Sequence, residues 1–167
     1  MFLLKVLPAR HMVERYVDEL GVNGSGAGDP DMILSALDMM RSASLLIRKV
    51  ERHFSMHGLS QLKFVILVVI DRERHEAGLR HADVAARIDV SQPVLSRTIR
   101  ALVEGGLVAQ TPDPSDARVQ RLRLTAAGRD RLHAALPDYF DIIGTHMRGV
   151  AEEGSVTWPR ILAGRLV

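Results

Sequence analysis

The stretch from 113 to 128, DPSDARVQRLRLTAAG, constrains the fold more than any other part of the sequence. Pro114 and the two aspartates, with Pro112 just before them, predict a rigid turn after the apolar segment LVAQT, which has the composition of a strand. Two leucines then alternate with Arg121 and Arg123, the period-two pattern of a half-buried strand whose basic residues face water. Thr125 is suited to cap a helix. The stretch therefore predicts a stiff hairpin, with Arg118 near its tip, directly before a helix.

Two helices joined by a tight turn are predicted before this hairpin. The first is short, around Ala82–Arg87, and the second extends over Ser91–Glu104 and ends at two adjacent glycines. Ser91 is the expected N-cap, and Pro93 is tolerated because first-turn N–H groups have no intrahelical partner. This order is that of a helix-turn-helix.

The second helix of the pair has an apolar face and a polar face. The polar face combines amide, hydroxyl and guanidinium groups, which suit both major-groove base edges and phosphates. A solvated charged surface has a similar pattern, so the helix alone leaves both interpretations open. A basic hairpin beside it favours DNA, because strand arginines reach phosphates and a tip arginine enters a narrow minor groove. The outward residues are Gln92, Ser96, Arg97 and Arg100.

Together, HADVAARIDVSQPVLSRTIRALVEGGLV and DPSDARVQRLRLTAAG, in this order and after two leading helices, resemble the multiple-antibiotic-resistance regulator (MarR) family of winged helix-turn-helix transcription factors. The resemblance covers roughly residues 32–150. Its most specific part is a D-x-R followed by L-T-x-x-G, whereas a helix-turn-helix pattern alone is weak evidence. The motif positions are Asp116, Arg118, Leu124, Thr125 and Gly128.

The resemblance implies a mainly α fold with a small β-hairpin: a winged helix-turn-helix domain plus N- and C-terminal dimerisation helices. Residues 1–28 are then an N-terminal segment with a glycine-rich linker, and 29–167 the MarR-type domain. Within it, 29–57 and 126–167 are the dimerisation helices and 59–125 the winged helix-turn-helix. The implied function is a homodimeric regulator, expected to be a repressor, that binds a pseudo-palindromic operator in double-stranded DNA.

The resemblance also implies roles for individual residues. Arg118 corresponds to the wing arginine, Asp116 to the acid that orients it, and Arg121 and Arg123 are added from the strand alternation. Many relatives bind a small, often aromatic or anionic, ligand between the dimer helices and the DNA-binding domain. The recognition-helix edge corresponds to Ser91, Gln92, Pro93, Ser96, Arg97 and Arg100, and the candidate pocket residues are Phe54, Met56 and His57.

The sequence departs from the family pattern at three places. Arg100 stands where many members have an acid or a neutral residue, so no operator preference is transferred. Ala109 and Gln110 occupy a strand region that is often arginine-rich, which predicts fewer phosphate contacts there. The C-terminal AEEGSVTWPRILAGRLV has two glycines and a proline where the family has a second good helix, which predicts a reduced or differently built dimer interface.

The N-terminal third is predicted to contain a short helix, ARHMVERYVDEL, a linker, GVNGSGAG, and a long helix over about 31–57. Asp29 is its expected N-cap, with Pro30 at the first helical position. Its apolar residues follow a heptad, which fits an internal core helix or a helix shared with a second subunit. The next segment, FVILVVI, fits a helix over about 61–74 or a buried strand. The heptad positions are Ile33, Met40, Ile47 and Phe54, and Ala36, Ala43, Val50 and His57.

Composition limits the other functional classes. The net charge of +2 does not by itself indicate a nucleic-acid partner, and the absence of cysteine excludes disulfides and thiol nucleophiles. The longest apolar run is far below the roughly 20 residues of a membrane span, and the N-terminus lacks a convincing cleavage site, so we expect a cytoplasmic protein. No nucleophile elbow, phosphate-binding glycine loop or paired-acid motif is present, so we expect neither catalysis nor a cofactor.

Two further hypotheses stay open at this level. His53 and His57 have an i, i+4 spacing that suits a metal, which favours a metal-responsive regulator, but no third ligand has a recognisable spacing. We therefore expect no metal site. The second hypothesis is a protein-interaction module that does not bind DNA, in which the arginines form ordinary solvated surface.

Overall fold

The structure is a computed structural model that describes residues 6–21, 28–72, 78–116 and 118–152. The described chain forms two compact units, one made of residues up to Lys49 and from Asp141 onward, the other of Val50–Phe140. No single helix in the described part is long and apolar enough to span a membrane. The helices Pro30–Met56 and Gln61–Arg72 meet that criterion only when taken together, and they are bent by 76° where they meet. The elements are α1 (Arg10–Glu19), α2 (Pro30–Met56), α3 (Gln61–Arg72), β1 (Leu79–Arg80), α4 (His81–Ala85), α5 (Gln92–Glu104), β2 (Val108–Pro112), β3 (Gln120–Leu124) and α6 (Ala126–Glu152).

The long helix α2 begins and ends where the sequence predicted. The backbone N–H of Asp31 donates to Oδ1 of Asp29 at 2.9 Å, so Asp29 caps the helix. At the other end Gly58 has a φ of +67°, a left-handed conformation that glycine adopts readily. The N–H of Leu59 donates to the carbonyl of Phe54 at 2.9 Å, the long bond of a Schellman ending.

The segment FVILVVI belongs to α3, so the alternative of a buried strand is excluded. Oγ of Ser60 accepts a hydrogen bond from the N–H of Lys63 at 3.3 Å, which starts the helix. A helical spacing places the large side chains of α3 on the core of the unit Val50–Phe140. The buried residues are Phe64, Ile66, Leu67 and Ile70.

The predicted hairpin is present as β2 and β3, and β1 extends it to a three-stranded antiparallel sheet with the order β1-β3-β2. The sequence did not reveal β1, because a strand of two residues carries no measurable alternation. In the register, Leu79 pairs with Leu122, and Arg80 pairs with Arg121. β3 is therefore the central strand, and its Leu122 is fully buried.

The L-T-x-x-G motif joins α5, β2 and α6. Oγ1 of Thr125 donates to the carbonyl of Gly106 at 2.7 Å and accepts from the N–H of Gly128 at 2.9 Å, so Thr125 is the predicted N-cap of α6. The N–H of Thr125 donates to the carbonyl of Leu107 at 3.1 Å. A Cβ at Gly128 would lie 1.9 Å from that carbonyl oxygen, so only glycine fits there. The motif thus fixes the start of α6 against the end of α5.

In the other unit, the N-terminal part of α2 leaves much of its apolar heptad on the surface. Arg10 of α1 makes two hydrogen bonds to the carboxylate of Asp31, at 2.7 and 3.2 Å. Within α2 itself, burial is confined to three residues at its C-terminal end. An internal core helix is therefore the wrong interpretation for the first two-thirds of α2 within this chain. The exposed large side chains of α2 include Met32 (65%), Met39 (44%), Met40 (52%) and Ile47 (46%).

Candidate nucleic-acid interface

The helix α5 presents the predicted polar face to solvent. Leu95, Ile99 and Leu102 are at most 1% exposed, which fixes the opposite face outward. Gly106, with a φ of +68°, ends the helix, and Leu107 N–H donates to the carbonyl of Leu102 at 2.9 Å. The exposed residues include all six of the predicted recognition edge, Ser91, Gln92, Pro93, Ser96, Arg97 and Arg100.

Two details of α5 differ from expectation or were missed by it. Ser91 occupies the N-cap position, but its side chain makes no capping hydrogen bond, so its hydroxyl is left for another partner. Val94 lies in the first turn with 43% of its surface exposed, an apolar side chain beside polar neighbours. Oγ1 of Thr98 donates to the carbonyl of Val94 at 2.8 Å and is already used within the helix. The sequence did not predict that Val94 is exposed, because an apolar residue of this type is usually assigned to the core.

The β2–β3 hairpin, here called the wing (residues 108–124), carries Arg118 in its turn. The N–H of Asp113 donates to the carbonyl of Val119 at 2.8 Å and closes the turn. Oδ1 of Asp116 accepts from the backbone N–H of Arg118 at 3.0 Å. The acid thus orients the backbone of Arg118, and the exposed guanidinium projects from the turn.

The two arginines of β3 have different environments. Arg123 is exposed, as its alternation with leucine predicts. Arg121 does not face water: its side chain is 18% exposed, with Nε hydrogen-bonded to the carboxylate of Asp113 and Nη1 to the carbonyl of Gly78 at 2.9 Å. The expectation of free, solvent-facing basic groups at both positions is therefore wrong at Arg121. Strand alternation gave the side of the sheet correctly but not the partners on that side.

Asp113 is the residue of the wing that the sequence did not single out. Its side chain is 1% exposed and accepts hydrogen bonds from the hydroxyl and the backbone N–H of Ser115, at 2.6 and 2.8 Å. These two bonds, together with the guanidinium of Arg121, hold the pKa of Asp113 far below its usual 3.8, although burial opposes the shift. The ionised form of the carboxylate is therefore favoured in the folded protein. Asp-Pro-Ser is a turn signature that was available in the sequence.

The start of α4 lies against the sheet. Oδ2 of Asp83 accepts from the backbone N–H of Arg80 at 2.9 Å, which satisfies the N-cap N–H of α4. Nη2 of Arg80 approaches the Asp113 carboxylate at 3.5 Å, while 47% of the Arg80 side chain stays exposed. Burial lowers the pKa of His81, whose Nε2 lies 3.3 Å from the amide nitrogen of Gln110. Gln110 thus forms a contact within the sheet region where relatives often carry arginine.

The predicted pocket residues differ in their exposure. Phe54 is 1% exposed, and its ring stacks on Phe64 and Tyr139 at centroid distances of 4.3 and 5.5 Å. Met56, by contrast, is 74% exposed. Phe54 and His57 are three residues apart and share one side of the chain's helical path, whereas Met56 lies on another side.

His53 of α2 and His57, which directly follows the helix, contact each other. Their ring centroids are 4.7 Å apart. Nε2 of His53 is 2.8 Å from the carbonyl oxygen of Ala135, and because a carbonyl only accepts, this nitrogen carries the proton. Among the residues described, no cluster of three or more His, Asp or Glu side chains is arranged to hold a metal ion. His53 therefore acts as a buried hydrogen-bond donor between α2 and α6.

The unit that contains the N-terminal part of α2 has two adjoining clefts between α2 and α6, of about 290 and 140 Å³. They share Ser42 and His146, whose side chains are hydrogen-bonded at 2.9 Å. The larger cleft is lined by Arg41 and Lys49 and also by Asp38, whose carboxylate lies 3.9 Å from Arg41; the smaller cleft is lined mainly by apolar groups. The N-terminal linker 22–27 and the C-terminal segment 153–167, for which we predicted a weakened second helix, lie outside the described residues.

The arrangement of α4, a tight turn, α5 and a following antiparallel hairpin attached to a short strand defines a winged helix-turn-helix. The sequence model of the MarR family matches residues 57–119. The transcriptional regulator MOSR of M. tuberculosis, solved in complex with DNA, is 31% identical to this chain; the match covers 77% of this chain and 87% of MOSR, with a TM-score of 0.52. The chain belongs to the MarR family of winged helix-turn-helix transcriptional regulators.

Two other relatives fit this assignment. AbsC of Streptomyces coelicolor, a MarR family transcriptional regulator, has a TM-score of 0.62 at 22% identity, with 75% of this chain and 80% of AbsC covered. The uncharacterized HTH-type transcriptional regulator YdgJ of Bacillus subtilis is 24% identical over 78 residues, 47% of this chain and 46% of YdgJ. The match thus spans about half the length of this curated relative.

Proposed function

We propose that the protein is a homodimeric DNA-binding repressor that recognises a pseudo-palindromic operator, with α5 in the major groove and the wing against the minor groove. The observation that carries this proposal is the exposed face of α5, where Arg97 and Arg100 stand free of the core beside the wing that bears Arg118. Guanidinium groups on a helix of this kind pair with guanine edges or with phosphates. Arg123 adds a cation on the central strand of the sheet.

The exposed apolar surface of the other unit supports a homodimer. Met32, Met40 and Ile47 of α2 are 46–65% exposed, and Met147 of α6 is 37% exposed. Exposed apolar side chains grouped on neighbouring helices are typical of protein interfaces. Two copies joined through this unit would present two copies of α5, which a two-fold symmetric operator requires.

Selection of bound sites from random duplexes tests this function. We expect a consensus with two-fold symmetry, bound by two chains, and an affinity that falls steeply with salt. Arg97→Ala is expected to cost about 1–3 kcal/mol on the selected site and to relax base preference at one position per half-site. Arg15→Ala is the matched control, because Arg15 is a 59% exposed arginine on α1. A chain that binds no duplex at low salt would favour the protein-interaction module instead.

We further propose that a small aromatic or anionic molecule modulates DNA binding through the clefts between α2 and α6. The cations Arg41 and Lys49 suit a carboxylate, and the adjoining apolar cleft suits its hydrocarbon part. Such a ligand changes DNA affinity only if it binds one conformation more tightly than another. Titration of substituted benzoates into the complex of the protein with a labelled operator tests this proposal by measuring how much DNA is released. Arg41→Gln should abolish the response to an active benzoate, and equal responses in both proteins would contradict this site.

A further inference from the structure

One buried carboxylate within the wing adds to the β1–β3 pairing that joins the wing to its unit. Asp113 stands where β2 ends, and its carboxylate accepts hydrogen bonds from Ser115 in the turn and from Arg121 on β3. Arg121 also donates to the carbonyl of Gly78, the residue that precedes β1, at 2.9 Å. Arg121 thus connects the turn end of the wing to the start of β1, the edge strand opposite β2.

The same carboxylate resolves a charge conflict in the sheet. Arg80 and Arg121 are directly paired across β1 and β3, and like charges in such a pair destabilise a sheet. The Asp113 carboxylate contacts both guanidinium groups, with Arg80 Nη2 at 3.5 Å. Because Arg80 also begins the cap of α4, the contacts run without a break from the turn of the wing to the first helix of the helix-turn-helix.

We propose that Asp113 and Arg121 are positioning residues that hold Arg118 at a fixed place relative to α5, so that the wing arginine meets the minor groove when α5 occupies the major groove. This inference rests on the proposed DNA-binding function. A two-stranded ribbon by itself is marginally stable and twists freely. Arg118 lies in the turn that Asp113 closes with its backbone, and loss of the anchor therefore frees the tip.

The sign of one substitution separates positioning from simple charge. Asp113→Asn removes a negative charge from a protein surface near a polyanion, so long-range electrostatics predicts tighter DNA binding. Positioning predicts the opposite, because the amide cannot accept from Arg121, Arg80 and Ser115 as a carboxylate does. Arg121 gives a second contrast: as a phosphate contact it would act like Arg123, whereas as an anchor it acts like Asp113.

The experiment measures binding of the full-length protein to its selected operator, by fluorescence anisotropy at several salt concentrations. We expect Asp113→Asn and Arg121→Lys each to weaken binding about tenfold, the effect of losing one specific contact, with the salt slope nearly unchanged for Arg121→Lys because the charge is kept. Arg129→Lys, the same substitution at a 54% exposed arginine of α6 outside the proposed interface, is the matched control and should change affinity less than threefold. Both variants should lose sequence preference at the operator positions whose minor groove the wing contacts. Their base preference at the positions contacted by α5 should be the same as that of the wild type.

A double-mutant cycle with Arg118→Ala supplies a readout that a merely structural defect does not give. In the Arg118→Ala background, Asp113→Asn should have almost no further effect on affinity, because the group it positions is gone. Equal or tighter binding by Asp113→Asn, or full additivity with Arg118→Ala, overturns the inference while leaving the proposed function intact. Failure of the wild-type protein to bind any duplex refutes the proposed function, and the inference with it. Circular dichroism checks that each variant is folded. If Asp113→Asn does not fold, the comparison of Arg121→Lys with the wild type tests the inference.

Discussion

Gly128→Ala separates two effects of opposite sign at one position of α6. Gly128 is the third residue of the helix, where alanine is favoured over glycine by about 1 kcal/mol from intrinsic propensity. Against this, the new Cβ would lie 1.9 Å from the carbonyl oxygen of Leu107 and 2.9 Å from its carbon. Both atoms belong to the backbone and cannot rotate away as a side chain does.

The clash is expected to outweigh the propensity. Overpacking typically costs about 1–3 kcal/mol, and displacement of Leu107 also weakens the 3.1 Å hydrogen bond from Thr125, worth about 1 kcal/mol. We therefore expect the free energy of unfolding to fall by about 1–3 kcal/mol. Urea denaturation at a fixed protein concentration measures it, since the proposed dimerisation would make stability depend on concentration.

Ala127→Gly is the matched control, at the exposed neighbouring position of the same turn. It removes a methyl group that touches no other part of the core, so it reports the propensity alone, a loss of about 1 kcal/mol. If Gly128→Ala were to raise stability by the amount that Ala127→Gly lowers it, the close packing of α6 on Leu107 would be refuted.

Four further results are expected. Phe54→Ala should lower the free energy of unfolding by about 3–5 kcal/mol, because the ring is 1% exposed; a loss below 1 kcal/mol in urea titration would contradict its place in the core. Asp29→Ala should cost about 1 kcal/mol through loss of the α2 cap, and Asp29→Asn should restore most of it. Replacing an operator thymine that Val94 contacts by deoxyuridine removes one methyl group and should weaken wild-type binding about fourfold. The same replacement should leave the affinity of Val94→Ala unchanged. The pKa of Asp113 is lowered from 3.8, so the ionised carboxylate stabilises the fold above that pH, and this stabilisation is lost as the pH falls further. Asp113→Asn should therefore flatten the acid limb of the plot of unfolding free energy against pH, below about pH 4.

Local signals in the sequence predicted much of this fold. The cap at Asp29, the glycine endings of α2 and α5 and the cap at Thr125 each depend on a few adjacent residues, so their physical basis is visible in the chain itself. Sequence alternation also identified the side of β3 on which the leucines lie. The exposure of the polar face of α5 followed from its three buried leucine and isoleucine residues.

The features that were missed depend on contacts between distant residues. The bond from Arg121 to the carbonyl of Gly78 joins positions 43 residues apart, and the pairing of β1 with β3 has a similar separation. Neither is encoded in a local pattern, so Arg121 looked like its neighbour Arg123. Phe54 is buried and Met56 is exposed although they are two residues apart, a difference that their proximity in sequence does not reveal. The surface exposure of Met32 and Met40 is likewise a property of the folded chain.

The register of the wing limits how its length can vary. Each residue of β3 from Gln120 to Leu124 is matched to one of β2, and a single insertion or deletion there would exchange the faces of the leucines and the arginines. Within the turn, between the backbone bond partners Asp113 and Val119, no such pairing exists. Natural length variation in the wing should therefore be confined to that turn, and grafted loops or tags inserted there should leave the strands intact.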